Sequence, residues 1–321
     1  MSDMRYHRLG QSGLVVSAVG LGCNNFGKTL DVEASRAVVL TALDEGVTLL
    51  DTADTYGRPD VGASDEVLGQ ILEGRRDDVV LATKFGSDMG GVNGPDWGAR
   101  GSRRYIRKAV ERSLRALRTD WIDLYQLHKP DPETPVSETL GALTELVREG
   151  KVRYIGCSNM AGWQLADADW TARTAHLERF VSVQNEYSLL ERGIEEEVVP
   201  AAERFGLGVL PYFPLASGLL TGKYKRGVPV PSGTRYERWG MESALTGERF
   251  DIVEKLEAFA AERGITLLDV AVGWLADRAV VASVIAGATR PDQVRANVRA
   301  AAWEPTAEDL DAIDQIAPGP A

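Results

Sequence analysis

Short apolar runs alternate along the chain with longer segments in which apolar positions return every three to four residues, the pattern of parallel strands joined by crossover helices. The strand-length runs are 15–22, 48–52, 79–85, 122–128, 152–158, 180–185, 208–212 and 281–287. Segments 33–45, 64–72, 103–118, 135–149, 163–175, 194–205, 252–276 and 291–301 carry the helical period. Their ends are punctuated by residues with a physical role. Asp31 and Gly46 bracket the first helix; Pro135 suits a first helical turn, Leu140, Leu143 and Val147 make one apolar face, and Gly150 stops it. Eight strand–helix units predict an α/β fold of the (β/α)8 type, a TIM barrel, because a doubly wound sheet normally uses about six strands. Nothing along residues 1–321 resembles a linker, so one domain is expected. Ahead of the barrel, 6–9 and 14–16 flank Gly10-Gln11-Ser12-Gly13, an N-terminal β-hairpin signal suited to capping one barrel end.

With 44% hydrophobic and 26% charged residues, the 321-residue chain is globular in composition. Its net charge of -11, from 36 Lys+Arg against 47 Asp+Glu, argues against nucleic acid or an anionic membrane as the main partner. No run approaches the ~20 apolar residues of a membrane span, and the start, 1–10, is too polar for a signal peptide, so the expected location is cytoplasmic. Cys23 and Cys157 lie in strand-like runs without CxxC spacing; they read as buried thiols, with no disulfide framework and no metal site. The basic run Arg103, Arg104, Arg107, Lys108, Arg112, Arg115 and Arg118 is interleaved with Ile106, Val110, Leu114 and Leu117, which makes it a helix with a solvated outer face.

Two connections exceed what a scaffold needs. Residues 87–101 are rich in glycine beside Trp97, and 221–247 carry further glycines, two prolines and Trp239. Both follow strands, which places them at the C-terminal face where long loops are functional, the first as a mobile cover. Together with Asn24, Asn25 and Phe26 after the first strand, Trp97 and Trp239 are expected to shape a substrate pocket.

Four groups fall at the ends of three consecutive strands: Asp51 and Tyr56 after the second, Lys84 in the third, His128 after the fourth. Strand ends converge in a barrel, so these residues are expected to meet. Asp51 and Lys84 sit in apolar contexts, where a lone charge is costly and a mutual pair is expected. A lysine ammonium beside a tyrosine stabilises the phenolate and lowers its pKa, which suits Tyr56 to proton donation; a histidine alongside can orient a carbonyl oxygen. Taken singly, each also reads as structure: an ion pair, a packed aromatic, a satisfied core histidine.

Asp51-Thr52-Ala53-Asp54-Thr55-Tyr56-Gly57, Ala82-Thr83-Lys84-Phe85-Gly86 and Leu127-His128-Lys129-Pro130-Asp131 together resemble the aldo-keto reductase superfamily, in order and over nearly the whole chain. The resemblance implies a (β/α)8 barrel that uses a nicotinamide cofactor, with Asp51, Tyr56, Lys84 and His128 as its catalytic tetrad and no metal. It also implies that Ser158, Asn159 and Gln184 hold the nicotinamide carboxamide and that Tyr212 stacks on the ring. Amide, hydroxyl and carboxamide groups supply the donors and acceptors this needs. Pro214, Leu215, Ser217, Gly218 and Lys223, then Gly287, Ala288, Thr289, Arg290, Gln293 and Asn297, resemble the pyrophosphate and adenosine segments. The second opens a helix at Pro291, whose free amides and dipole favour phosphate. Gly287 and Gln293 stand where the best-studied branch is commonly basic, and Ala296 where it is commonly acidic, which leaves Arg290 as the local cation for NADPH, with NADH possible. The implied branch is that of bacterial NADPH-dependent aldehyde and ketone reductases, and the expected partner is a small-molecule carbonyl: aldehyde, ketone or sugar. Two other readings stay open, a Schiff-base aldolase or lyase using Lys84 and a nicotinamide-binding sensor with little turnover. Oligomeric state is not legible.

Overall fold

The structure is a computed structural model and describes residues 4–57 and 61–320. Residues 1–3 of the polar start lie outside the described residues. In chain order it runs β1 (Tyr6–Arg8), β2 (Val15–Ser17), β3 (Val19–Gly22), α1 (Val32–Asp44), β4 (Leu49–Asp51), α2 (Ala63–Ile71), β5 (Val80–Phe85), α3 (Arg103–Leu117), β6 (Ile122–Leu127), α4 (Val136–Arg148) and β7 (Val152–Ser158). It continues through α5 (Gly162–Ala175), β8 (Ser182–Gln184), α6 (Val198–Phe205), β9 (Gly208–Val209), α7 (Arg235–Trp239), α8 (Gly247–Glu262), α9 (Leu267–Ala276), β10 (Val284–Gly287), α10 (Pro291–Ala300) and α11 (Ala307–Ile316).

Strands β3 to β10 form one parallel sheet in the order β10-β3-β4-β5-β6-β7-β8-β9. Its two ends meet: the Val209 amide donates to the Val280 carbonyl at 2.8 Å and the Ala282 amide to the Val209 carbonyl at 3.0 Å. The fold is therefore the (β/α)8 barrel that the strand count implied. The antiparallel hairpin β1–β2 seals its lower end, where Leu9 and Val16 are buried against Leu49, Ala82, Leu124, Leu210, Ala282 and Ile285. Gly10 allows this closeness, because it has a φ of +57° and a Cβ there would lie 2.6 Å from the Val181 carbonyl.

Three elements differ from the sequence expectation, each for a local reason. The run 15–22 is two strands, since Ser17 turns the chain by donating to the Val19 carbonyl at 2.6 Å and Ala18 bonds back to Arg5. The helical segment 252–276 is two helices, broken at Gly264 in the left-handed region and restarted by the reciprocal Thr266–Asp269 cap of α9. The segment 194–205 becomes helical only at Val198, after a 3-10 turn. Helix α3 buries the expected apolar stripe, but its outer face is not simply solvated: Arg107 bonds Glu145 and Glu149 and Arg103 bonds Glu145, tying α3 to α4. Cys23 and Cys157 are buried free thiols. No helix among the described residues is long and apolar enough to cross a membrane.

Candidate active site

The barrel strands bring the four expected groups together. Asp51 ends β4, Tyr56 follows in a turn held by its own amide to the Ala53 carbonyl, Lys84 lies in β5, and His128 directly follows β6, its amide bonded to the Phe85 carbonyl. Lys84 is completely buried. Its three ammonium donors reach Asp51 Oδ2 at 2.6 Å, the Thr52 carbonyl at 2.9 Å and the Tyr56 hydroxyl at 3.4 Å. Every donor of the buried charge is thereby used, which is the condition under which a buried ion pair persists. The Tyr56 and His128 rings meet edge to face, 6.0 Å between centroids.

Burial and charge set the protonation of these groups. Burial alone pulls the Lys84 ammonium down, but Asp51 and Tyr56 outweigh it and hold the pKa above its ordinary value, so Lys84 stays charged. For Tyr56 the outcome differs from the sequence expectation: burial raises the phenol above its ordinary range, and the opposing pull of Lys84 only offsets part of that. The phenol is protonated at neutral pH and can donate. Burial, then Lys84 and Lys129, lower the His128 imidazole to about 3, so it acts as a neutral hydrogen-bonding group.

The His128 shift predicts an acid-stability effect. An unfolded histidine binds a proton near pH 6.5, while the folded one refuses it until about 3. Stability must therefore fall as pH drops through that window, with a slope approaching about 1.4 kcal/mol per pH unit from this group. His128→Gln is expected to be flatter than wild type there in urea unfolding; parallel curves would remove the histidine from the account.

A cavity of about 990 Å³ opens at the C-terminal face, walled by Asp51, Tyr56 and His128 at one end and by Arg290, Gln293 and Asn297 at the other. All the residues expected to hold the cofactor line it. At the tetrad end the amide groups already form a connected set. Asn159 Nδ2 donates to the His128 carbonyl at 2.9 Å and to Ser158 Oγ at 3.0 Å, the Tyr212 hydroxyl donates to Asn159 Oδ1 at 2.8 Å, and Ser158 Oγ donates to the Gln184 carbonyl at 2.6 Å. Non-glycine residues with positive φ also gather here: Asn159, Phe213, Ala216 and Ser217. Such conformations cost of order 1–3 kcal/mol each and concentrate where backbone must face a ligand.

The cavity wall is also cationic. Sequence reasoning singled out Lys223 and Arg290, but Lys28, Lys129, Arg235 and Arg238 line the cavity too. Burial and then the neighbouring Arg235, Arg238 and Arg290 lower the Lys223 ammonium, the mark of like charges gathered together. A polyphosphate relieves that repulsion, so the chemistry of the wall fits a dinucleotide. Arg235 and Arg238 lay inside a polar loop with no periodic signal, and only the folding of 221–247 over the cavity reveals them. Arg290 is exposed and forks onto Asp292, while Gln293 accepts from the Thr289 amide and hydroxyl, so Gln293 braces the loop.

The substrate-pocket expectations divide. Asn24, Asn25 and Trp239 line the cavity. Phe26 does not: it is fully buried in the core, since its loop turns the ring inward. Trp97 does not either: it is 79% exposed and carries Arg104 5.0 Å over its ring. No residue of 87–101 lines the cavity, because the loop is drawn to the side of the barrel by Asn93–Tyr105 and Gly101–Asp131 bonds. Among the described residues no cluster suited to a metal ion occurs.

Comparison with known proteins bears on this geometry. The model of the Aldo/keto reductase family matches residues 18–318. An uncharacterized oxidoreductase, YrpG, of Bacillus subtilis (strain 168) is 38% identical over 329 residues, covering 99% of this chain and 97% of its own. A probable voltage-gated potassium channel subunit beta of Arabidopsis thaliana is 34% identical, with 98% of this chain and 96% of its own covered. The L-glyceraldehyde 3-phosphate reductase of Escherichia coli (strain K12) is 33% identical, with 93% and 88% covered.

Proposed function

The chain belongs to the aldo/keto reductase family, whose typical activity is carbonyl reduction, and from that premise we propose that it is an NADPH-dependent reductase of small aldehydes, ketones or sugars with Tyr56 as proton donor. The observation that carries this reading is the Tyr56 hydroxyl, 3.4 Å from the Lys84 ammonium, in a cavity that Lys223, Arg235, Arg238 and Arg290 also line. When bound, the reduced nicotinamide supplies a hydride. Ser158, Asn159 and Gln184 orient its carboxamide end and Tyr212 backs the ring. Tyr56 gives its proton to the carbonyl oxygen as negative charge gathers there, and neutral His128 steadies that oxygen with a hydrogen bond. Lys84, anchored by Asp51, favours the phenolate left behind. The acidic composition and the two buried thiols accord with a cytoplasmic enzyme.

Loss of absorbance at the nicotinamide band, with purified protein, NADPH or NADH and a panel of aldehydes, ketones and sugars, tests the reading. Tight NADPH binding without turnover on any of them would favour a nicotinamide-bound regulatory subunit, a reading that the potassium channel subunit among its relatives also suggests. A Schiff-base lyase needs a neutral, reachable amine, and a fully buried Lys84 held charged by Asp51 weighs against it.

Coenzyme choice follows from the cations that line the cavity. NADPH carries a 2′-phosphate that NADH lacks, and Arg290, which lines the cavity, would meet it by exchanging Asp292 for the phosphate. Arg290→Ala is expected to weaken NADPH binding roughly tenfold and leave NADH nearly unchanged. Equal weakening of both coenzymes, or of neither, would remove Arg290 from the role.

A further inference from the structure

Asp51 is held from two sides, and only one of them faces the cavity. Its Oδ2 takes the Lys84 ammonium at 2.6 Å. Its Oδ1 takes two side-chain amides, Gln184 Nε2 at 3.0 Å and Gln126 Nε2 at 3.2 Å. Gln184 lines the cavity, whereas Gln126 lies behind its wall, fully buried in β6.

The barrel makes a dedicated slot for Gln126. Lys84, Gln126 and Gly156 are register partners on β5, β6 and β7 and so stand in one layer. A Cβ at Gly156 would come within 2.4 Å of Ser182 Oγ and 3.2 Å of Gln126 Cγ, so the missing side chain makes room for both. Gln126 Oε1 has no hydrogen-bond partner among the described residues. A buried amide with an unpaired carbonyl costs more than an apolar side chain of the same size, and what it returns here is the bond to Asp51.

We propose that Gln126 is a positioning residue: it holds Asp51 when Gln184 turns to the cofactor, and through Asp51 it sets the field in which Tyr56 exchanges its proton. The inference rests on the reading of Tyr56 as the proton-transferring group. An amide that engages a ligand in the cavity is no longer free to hold Asp51 with the same N–H, so the donor behind the wall keeps the carboxylate aimed at Lys84. The sign of its effect follows. The negative charge of Asp51 opposes ionisation of Tyr56, and the N–H dipoles on Oδ1 offset part of that charge. Without Gln126 the field at Tyr56 becomes more negative and the phenolate harder to form.

Gln126→Met, which keeps length and loses the N–H, tests this beside wild type and Gln184→Met. Alcohol oxidation needs the phenolate as base, so its rising pH limb is expected to move about half a unit to one unit alkaline in Gln126→Met. Turnover should fall roughly ten- to a hundredfold with KM unchanged. NADPH affinity, read by quenching of tryptophan fluorescence, should stay at the wild-type value in Gln126→Met and weaken in Gln184→Met. Gln126→Leu carries the same expectation if the methionine variant melts early. An unmoved pH limb with normal turnover, or NADPH binding weakened as much as by Gln184→Met, overturns the proposal. If wild type turns over no substrate, the functional reading fails by itself. The positioning role is then decided on the cofactor-free protein by near-ultraviolet tyrosinate absorbance with Tyr56→Phe subtracted: the Gln126 variant must ionise Tyr56 at higher pH, and coincident titrations overturn it.

Discussion

Tyr56→Phe is expected to abolish most carbonyl reduction, by a factor on the order of 10² to 10⁴, while NADPH binds as before. The substitution removes one oxygen and nothing else from the site. The ring keeps its edge-to-face contact with His128, and Lys84 keeps its bonds to Asp51 Oδ2 and the Thr52 carbonyl, so the buried ammonium is not stranded. What disappears is the protonated hydroxyl 3.4 Å from the Lys84 ammonium, on a residue that lines the cavity. Neutral His128 cannot take over, because an imidazole that protonates only near pH 3 carries no spare proton at neutral pH. Steady-state reduction of the best aldehyde, with NADPH affinity read separately by fluorescence, checks both halves. Turnover within a few-fold of wild type would remove Tyr56 from the acid role.

The burial of the tetrad explains how much of this site could be read from the sequence. Strand-end positions gave the convergence of Asp51, Lys84 and His128, because a barrel fixes which end of each strand faces the site whatever the loops do. The Asp51–Lys84 pair was legible from two charges in apolar runs. The direction of the Tyr56 shift was not: strand-end positions imply the neighbouring cation, but only the packed barrel dehydrates the phenol by more than Lys84 compensates. Loops obey weaker rules. Residues 87–101 and 221–247 look alike in glycine content and each carries a tryptophan, yet side-chain bonds draw the first to the flank, while Arg238 of the second bonds Thr29 at 3.0 Å across the mouth. Such pairings join residues far apart in sequence and leave no local period to detect. The break at Gly264 is a milder case, since the apolar stripe passes through it without losing phase. Gln126 reads as one more polar residue in a strand until register sets it beside Lys84.

Lys84→Met is expected to lower both reduction and alcohol oxidation by a factor on the order of 10² to 10⁴, and to do so with a different pH signature from Tyr56→Phe. Lys84 lowers the Tyr56 pKa both by its charge and by its hydrogen bond, while burial and Asp51 raise it. Removing it takes away the largest influence that opposes them, so the phenol becomes a weaker acid in reduction and its phenolate harder to reach in oxidation. The alkaline limb of alcohol oxidation must therefore move upward, out of the working range. Stability suffers too, because Asp51 is 2% exposed and, among the described residues, its carboxylate keeps only the Gln126 and Gln184 amides. Breaking a buried pair by deleting one partner costs about 3–5 kcal/mol, partly softened here by those two donors. Urea unfolding and the pH profile of oxidation, measured on the same preparation, separate the two effects. A folded Lys84→Met protein that oxidises alcohols with the wild-type pH profile would show that the ammonium has no hand in tuning Tyr56, and would leave the pair as scaffold alone.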